Sequence, residues 1–524
     1  MRSPRSIVSL VALALLLLVH LRLGTLERGG PVHAELELDG GVPATLTLPG
    51  ESSGGRTLGE PPPREERAPA VVLVHGFSSD RAGLSVLARS LAVAGYAVLS
   101  IDVRGHGSNR NSFTAARGRS DFLLGDVAAA VDHLRVSPWV DGQRIAVVGH
   151  SMGASAALAY GERDPGVDAL VMISGGWSLS GTHRPANALF LYASGDPERI
   201  RTRAAELTAR LAGVEHATPG EIYGEIEHDT AVRHVEISGA DHVTIVSNSD
   251  AIAEIADWLD RSFDIQREGR AGRSDPRGAV VLLGFALLLF VLPGLGDVAG
   301  RLAASAEARP ERSRAGGGAG LLLVAGGLVA TLPIFAAGNP GALIPFEVGD
   351  ITIPHFAVTG VMLLTLLALG GRLDRSPLSD VGAGAVAAGV VLFALYFLMT
   401  PLGVVVHRLS LTPERAAGGL ALMVLLVPFA LAFNLLLRRG STLESVLLCL
   451  GGRAIVVVAT LIGIAMGVIP SVVSLMLPLL SFVFVQIEIL CGSIYATSRS
   501  LIPCVIVEAG WLAWIFAAVL PVRI

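Results

Sequence analysis

Lysine is missing from this 524-residue chain, so all 40 of its Lys-plus-Arg residues are arginine, a bias read as genomic composition rather than function. Cysteine is nearly missing too. Cys449, Cys491 and Cys504 all lie in or beside apolar runs of the C-terminal half. The more polar N-terminal half therefore has neither a disulfide nor a cysteine nucleophile. No Cys-x-x-Cys pair or His/Cys cluster has the spacing of a metal site, and no metal or cofactor is expected. The formal net charge of −5 is small and gives no sign of a nucleic-acid partner. No internal repeat is convincing.

Apolar sequence is what the chain has in excess. It is 52% hydrophobic with a mean hydropathy of +0.60, too apolar for an ordinary soluble protein. Charged residues are frequent from Glu51 to Arg277, and long apolar runs dominate after Gly278. This pattern predicts a soluble domain followed by a membrane domain. Residues Ile7–Leu21 form an apolar run behind Arg2 and Arg5, either a cleaved signal peptide or an uncleaved anchor. An anchor over residues 1–24 is favoured, because Arg22 follows where a small-x-small cleavage pattern would stand. Runs near 278–296, 317–337, 355–371, 381–406, 416–437, 454–469, 471–490 and 501–522 predict about eight membrane spans, with the lipid bilayer as a partner.

Arginine placement suggests an orientation. With a cytoplasmic N-terminus, the inner loops carry Arg301, Arg309, Arg312, Arg314, Arg372, Arg375, Arg438, Arg439, Arg453 and Arg499. The outer loop 338–354 carries none, and the polar domain then lies outside the cytoplasm. Arg408 and Arg415 in loop 407–415 are exceptions, and the Arg-rich segment 261–277 argues the other way.

Between the two apolar ends, residues 34–263 alternate apolar strands with helices, and 264–277 reads as a linker. Ala34–Leu48 reads as a hairpin turning at Asp39-Gly40-Gly41. Strands follow at Ala70–Val74, Tyr96–Ile101, Arg144–Val148, Ala169–Ile173, Ala188–Ala193 and Arg233–Ile237, most of them followed by a helical segment. The expected fold is an α/β, doubly wound, mostly parallel sheet. The β-branched run before Gly149-His150-Ser151-Met152-Gly153 has the pattern of a nucleophile elbow, a strand turning sharply into a helix with a serine at the turn. The flanking glycines allow close approach of neighbouring backbone.

Gly-x-Ser-x-Gly is weak by itself, and its context carries the reading. Acyl transfer by serine needs a base, a group orienting the base, and donors for the oxyanion. In this fold class the chain order is nucleophile, acid, histidine. Ser151, Asp196 and His242 supply that order, each just after a strand. The backbone N–H groups of Phe77 and Met152 are the expected oxyanion donors. Asp241 is a rival acid, and His216, His228 and His234 are rival bases; Asp196 could also cap a helix, with Pro197 after it. His75, His106 and the Asp102–Ser108 segment read as loop-structuring. Phe77 and Trp177 are candidate pocket walls.

The His75-Gly76-Phe77 loop, the Asp102-Val-Arg104-Gly105-His106-Gly107-Ser108 loop, the Gly149–Gly153 elbow, Gly195-Asp196 and Asp241-His242 together resemble the α/β-hydrolase family. The dienelactone-hydrolase and serine-aminopeptidase-like branches are the nearest in flavour, and the resemblance spans roughly Ala34–Phe263. It implies a serine hydrolase acting most readily on carboxylic esters, with peptidase, thioesterase and acyltransferase chemistry open. A lid commonly inserted after the strand matched by Ala169–Ile173 has no room in Gly175–Asn187, so an open site is expected, roofed at most by residues 213–232. Beside a membrane, such a site suits a lipid-like or envelope-derived acyl substrate. The membrane region resembles no recognised family. Its Glu488 and Glu508 are candidates for a proton or substrate path, or for structural pairing with Arg499 or a helix neighbour. A transport or sensing protein with a ligand-binding, hydrolase-like domain is the contrasting reading.

Overall fold

The computed structural model describes residues 4–50, 60–113, 123–177, 179, 183–266, 275–304, 316–338, 344–371 and 380–523. Most of the loop expected over 51–68, the expected start of a helix near Ser120, and much of the 264–277 linker lie outside the described residues. So do Arg309, Arg312, Arg314, Arg372 and Arg375. The chain divides into two compact units. One comprises Leu21–Val281 with Gly403–Arg408 and Pro521–Ile524; the other comprises Met1–His20, Leu282–Leu402 and Leu409–Leu520.

After α1 (Pro4–Arg28), the first unit is built on β1 (Val32–Leu38), β2 (Val42–Leu48), β3 (Ala68–Val74), α2 (Ser85–Val93), β4 (Ala97–Ile101), α3 (Leu124–Val136), β5 (Val140–His150) and α4 (Met152–Gly161). It continues with β6 (Ala169–Ile173), β7 (Ala188–Ala193), α5 (Glu198–Ala212), β8 (Val232–Ile237) and α6 (Ser249–Ser262). The strands form one sheet in the order β1-β2-β4-β3-β5-β6-β7-β8. Only the β1/β2 and β2/β4 pairs are antiparallel. β3 from Ala70 to Val74, β5 from Ile145 to Val148 and β6 are unbroken apolar runs because helices cover both faces. Leu73 and Val71 are as completely buried as Val72 and Val74. Residues of α3, α4 and α5 join one core with Val72, Val147, Leu170 and Phe190, while α2 packs with α6.

The register aligns the carboxyl ends of the strands: Val74 pairs with Gly149, His150 with Ile173, and Ala193 with Ile237. Loops leaving these ends therefore converge on one edge of the sheet, where open α/β sheets bear their sites. Among the described residues of the connection from β6 to β7 there is no lid domain. The roof expected from residues 213–232 is not formed. That segment folds along the outer strand, where Tyr223 bridges Val232 and the Gly220 N–H donates to the His234 carbonyl. Val232 begins β8, so the segment packs toward the amino end, away from the converging loops.

The second unit is helical. It includes α7 (Arg277–Ala303) from Leu282 onward, α8 (Gly317–Ala337), α9 (Gly349–Leu369), α10 (Val381–Met399), α11 (Pro413–Leu437), α12 (Thr442–Ala465), α13 (Leu477–Ser498) and α14 (Ile502–Val519). Among the described residues, nine helical stretches, α1 included, are long and apolar enough to cross a membrane. The span expected over 454–469 differs most. Its helix begins at Thr442 because the Ser441 hydroxyl accepts the Glu444 N–H at 3.3 Å. Ser441-Thr-Leu-Glu444 is a capping sequence. Arg453, expected in a loop, consequently lies buried inside α12.

Candidate active site

Ser151 sits at the turn between β5 and α4 with φ 53° and ψ −111°, a conformation that costs a non-glycine residue about 1–3 kcal/mol. The fold holds it there. The Ser151 N–H donates to the Ile173 carbonyl at 2.8 Å, and the Ala154 N–H donates to the Ser151 carbonyl at 3.1 Å. A Cβ on Gly149 would stand 2.1 Å from the Gly153 carbonyl oxygen, and one on Gly153 would stand 2.2 Å from that of Val74. Both positions must be glycine for the turn to close.

Asp196 and His242 arrive from the ends of β7 and β8. The Ser151 Oγ lies 3.0 Å from His242 Nε2, and His242 Nδ1 lies 2.6 Å from Asp196 Oδ1. The second oxygen of Asp196 accepts the Ser174 hydroxyl at 2.5 Å and the Ala193 N–H at 2.8 Å. Burial alone would push the Asp196 carboxyl up. Hydrogen bonds from His242, Ser174 and Ala193 outweigh burial and hold it below the usual carboxylate range. The structure thus brings the three sequence-assigned side chains into one hydrogen-bonded line.

The rivals stand elsewhere. Asp241 accepts the N–H groups of Val243 and Thr244, capping the turn after itself. His216 is exposed beside Glu215, His228 pairs with Glu225, and His234 is buried against Tyr192. His75 is fully buried. The Val103 N–H donates to its Nε2 at 3.1 Å, which leaves Nδ1–H to donate to the Gly76 carbonyl at 2.8 Å. Asp102 accepts the backbone N–H groups of Arg81 and Ser108, and Arg104 pairs with Asp126 at 2.8 Å.

Two neighbours of the site were not anticipated. Ser174, at φ 50°, supplies the second side-chain donor to Asp196. Its signal was available: a serine at the end of a buried strand, followed by Gly175-Gly176. His150 approaches the His242 carbonyl with Nε2 at 2.8 Å. Burial, then the charge of His242, pushes the His150 imidazole down to about 4, so it is neutral and its Nε2–H donates.

Met152 is the first residue of α4, at the helix terminus that favours negative charge. Gly76 lies beside the elbow; a Cβ there would be 3.1 Å from that of Ser151. Phe77 follows, its ring packed edge-on against His106 at 5.8 Å and Phe113 at 5.9 Å. Trp177 is 42% exposed, with the Arg199 guanidinium 5.7 Å from its ring centre. Among the described residues, no group of three or more His, Cys, Asp or Glu side chains is placed to hold a metal ion.

Glu488 and Glu508 lie in the helical unit, and neither pairs with Arg499, whose guanidinium lies over the Tyr495 ring. Arg453 binds Glu488 at 3.0 Å and Glu508 at 2.7 Å, and Arg438 binds Glu488 at 2.7 Å. Asn434 donates to Glu508 at 2.8 Å and accepts from Arg438 at 2.7 Å. Two guanidinium and two carboxylate groups make a neutral, fully buried set, as charges in an apolar medium require.

Residues 65–196 match the family model described as serine aminopeptidase, S33. A bis(hydroxyethyl) terephthalate hydrolase of Streptomyces coelicolor is 26% identical over 200 residues, covering 37% of this chain and 57% of the relative. The cutinase est2 of Thermobifida alba is 25% identical, covering 38% of this chain and 62% of the relative. A monoacylglycerol lipase of Mycolicibacterium smegmatis is 35% identical, over 20% of this chain and 36% of its own length. The chain thus spans less than two thirds of these relatives. Among solved structures, a dienelactone hydrolase of Anabaena variabilis aligns over 46% of this chain and all of its own, at 17% identity and a TM-score of 0.31.

Proposed function

We propose that this chain, whose N-terminal region belongs to the α/β-hydrolase family and is a serine hydrolase, is a membrane-anchored carboxylic ester hydrolase that works through Ser151, His242 and Asp196. One observation carries the assignment: the continuous line Ser151 Oγ, His242, Asp196, with contacts of 3.0 Å and 2.6 Å. His242 Nε2 takes the Ser151 proton as Oγ attacks the carbonyl carbon. Asp196 keeps the proton on Nδ1 and stabilises the imidazolium that forms. The backbone N–H groups of Phe77 and Met152 receive the oxyanion. His242 returns its proton to the leaving alcohol, and water then releases the acid from Ser151. Esters are the favoured substrates because relatives are named as terephthalate-ester hydrolase, cutinase and monoacylglycerol lipase. An open site and an apolar anchor suit lipid-like or envelope-derived acyl groups.

The extracytoplasmic placement rests on the arginine pattern; the topology bears only on which segments share a side. The hydrolase region follows one apolar helix, segment Gly403–Arg408 follows five, and Pro521–Ile524 follows nine. If each helix crosses once, all three fall on one side. They cluster in one compact unit, which that shared side allows. The exceptions to the arginine pattern have fixed partners: Arg408 binds Glu35 at 3.1 Å, Arg415 donates to the Ala517 and Leu520 carbonyls, and Arg277 binds Asp275. Arginines held this way report local structure rather than orientation. The same applies to Arg438 and Arg453, which pair with Glu488 and Glu508 and so no longer count toward the inner loops.

The test is fluorophosphonate labelling of the full chain in detergent, followed by an ester panel of graded acyl length. Wild type should label and turn over, and Ser151→Ala should do neither while keeping its melting temperature. Unchanged ester turnover by folded Ser151→Ala would remove the assignment.

A further inference from the structure

The loop carrying Gly76 and Phe77 ends at Asp80, a carboxylate with no exposed surface. One oxygen, Oδ1, caps the following turn, accepting the N–H groups of Ala82 at 2.9 Å and Gly83 at 3.3 Å. The other points to a segment more than three hundred residues away in sequence. Asp80 Oδ2 accepts the Arg408 backbone N–H at 2.7 Å and lies 3.3 Å from His407 Nδ1. Burial would push this carboxyl up; the charge of His407 and the Arg408 N–H hold it down. The seating is close, since a Cβ on Gly83 would come within 3.2 Å of the Val406 carbonyl oxygen. His407 and Arg408 belong to the connection between α10 and α11, yet this segment clusters with the hydrolase unit.

Within the loop the Ser79 N–H donates to the Gly76 carbonyl at 3.3 Å, and Ser78 is held at φ 58°. A strained turn persists only where its surroundings impose it. A second remote segment bears on the other flank of the loop. Val522 exchanges backbone hydrogen bonds of 2.8 Å with Gly105 and Phe113, and the Phe113 ring packs on that of Phe77.

We propose that Asp80 is a positioning residue for the oxyanion loop, and that the α10–α11 connection, through His407 and the Arg408 N–H, is a structural part of the active site. The proposal rests on the serine-hydrolase reading. It makes the hydrolase region dependent on a segment that the chain reaches only through the apolar helices.

The experiment uses the full chain in detergent, with kcat, KM, fluorophosphonate labelling rate and melting temperature measured for each variant. Asp80→Asn is the informative change. Asparagine keeps the capping oxygen, so the turn survives. Its amide N–H₂ then faces the Arg408 N–H, donor against donor. About a tenfold fall in kcat is expected, with KM within about twofold and labelling slowed in parallel. His407→Ala should lower kcat about threefold, and His407→Gln, whose amide can set an N–H beside Asp80 Oδ2, should recover most of it. The double variant Asp80→Asn/His407→Ala should be no worse than Asp80→Asn alone, because both act through one contact.

The proposal is overturned if Asp80→Asn and His407→Ala are both folded with unchanged kcat. It is equally overturned if losses appear in KM alone, or if His407→Gln is as impaired as His407→Ala. Failure of the wild type to label would instead refute the hydrolase reading.

Discussion

Replacing Asp196 by asparagine tests the chemistry most directly, because its outcome follows from counting donors. The carboxylate accepts three: His242 Nδ1 at Oδ1, and the Ser174 hydroxyl and Ala193 N–H at Oδ2. Asparagine has one acceptor oxygen and one N–H₂. The Ala193 N–H is fixed in the backbone and can only donate, so the amide oxygen belongs on that side. The N–H₂ then faces His242 Nδ1, which must become an acceptor. The ring proton moves to Nε2 and points at the Ser151 Oγ, so the base has no free lone pair where it is needed. A wrong tautomer of this kind costs about four powers of ten in kcat, or about 5 kcal/mol of transition-state stabilisation. The assay is ester hydrolysis under saturating substrate, with KM and melting temperature as controls. KM should stay within about threefold, because no substrate contact is removed. Retention of more than a tenth of wild-type kcat would refute the tautomer argument and return the acid role to another residue.

Three further outcomes are expected. His150 is pushed down to about 4 from an ordinary 6.5, so the unfolded chain binds the extra proton between those values and stability falls as pH falls through that window. Up to about 3 kcal/mol is involved, and His150→Gln should show a shallower loss of melting temperature from pH 6.5 to 4; parallel curves would contradict this. Gly153→Ala sets a Cβ 2.2 Å from the Val74 carbonyl oxygen. It should destabilise the hydrolase unit by about 1–3 kcal/mol and slow labelling of Ser151, and a variant that melts and labels like wild type would show that the elbow is looser than described. Arg453→Ala strips both buried carboxylates of their shared partner and should cost about 3–5 kcal/mol, read as a lower melting temperature in detergent. An unchanged melting temperature would mean that water or another cation reaches Glu508.

The alternation of apolar runs and turn residues made the strand order along the chain legible, because a strand buried on both faces must be apolar throughout. Gly149 and Gly153 marked the elbow, since each stands where a Cβ would strike backbone. Chain order singled out Ser151, Asp196 and His242 among many serines, acids and histidines. Partners remote in sequence were not legible. Ser174 and His150 became neighbours of Asp196 and His242 through the parallel register of β5, β6 and β7. Residues 213–232 could be assigned to a roof because nothing local says which end of β8 they pack on. The α12 start was missed where the Ser441 cap had been written in the chain. Arg453 was therefore set in a loop, and Arg499 seemed the available partner for Glu488 and Glu508.

Composition and periodicity determined that this chain has an apolar N-terminal helix, an α/β region and a long run of apolar helices, because burial and hydropathy are read locally, residue by residue. Only the tertiary structure decided which charges meet. Glu488 and Glu508 found Arg438 and Arg453 because four helices bring them together in an interior where an unpaired charge is too costly to persist. Asp80 found His407 and Arg408 because the connection between α10 and α11 folds onto the hydrolase unit. Pairings across hundreds of residues leave no local pattern, since each half is satisfied only by the fold that joins them.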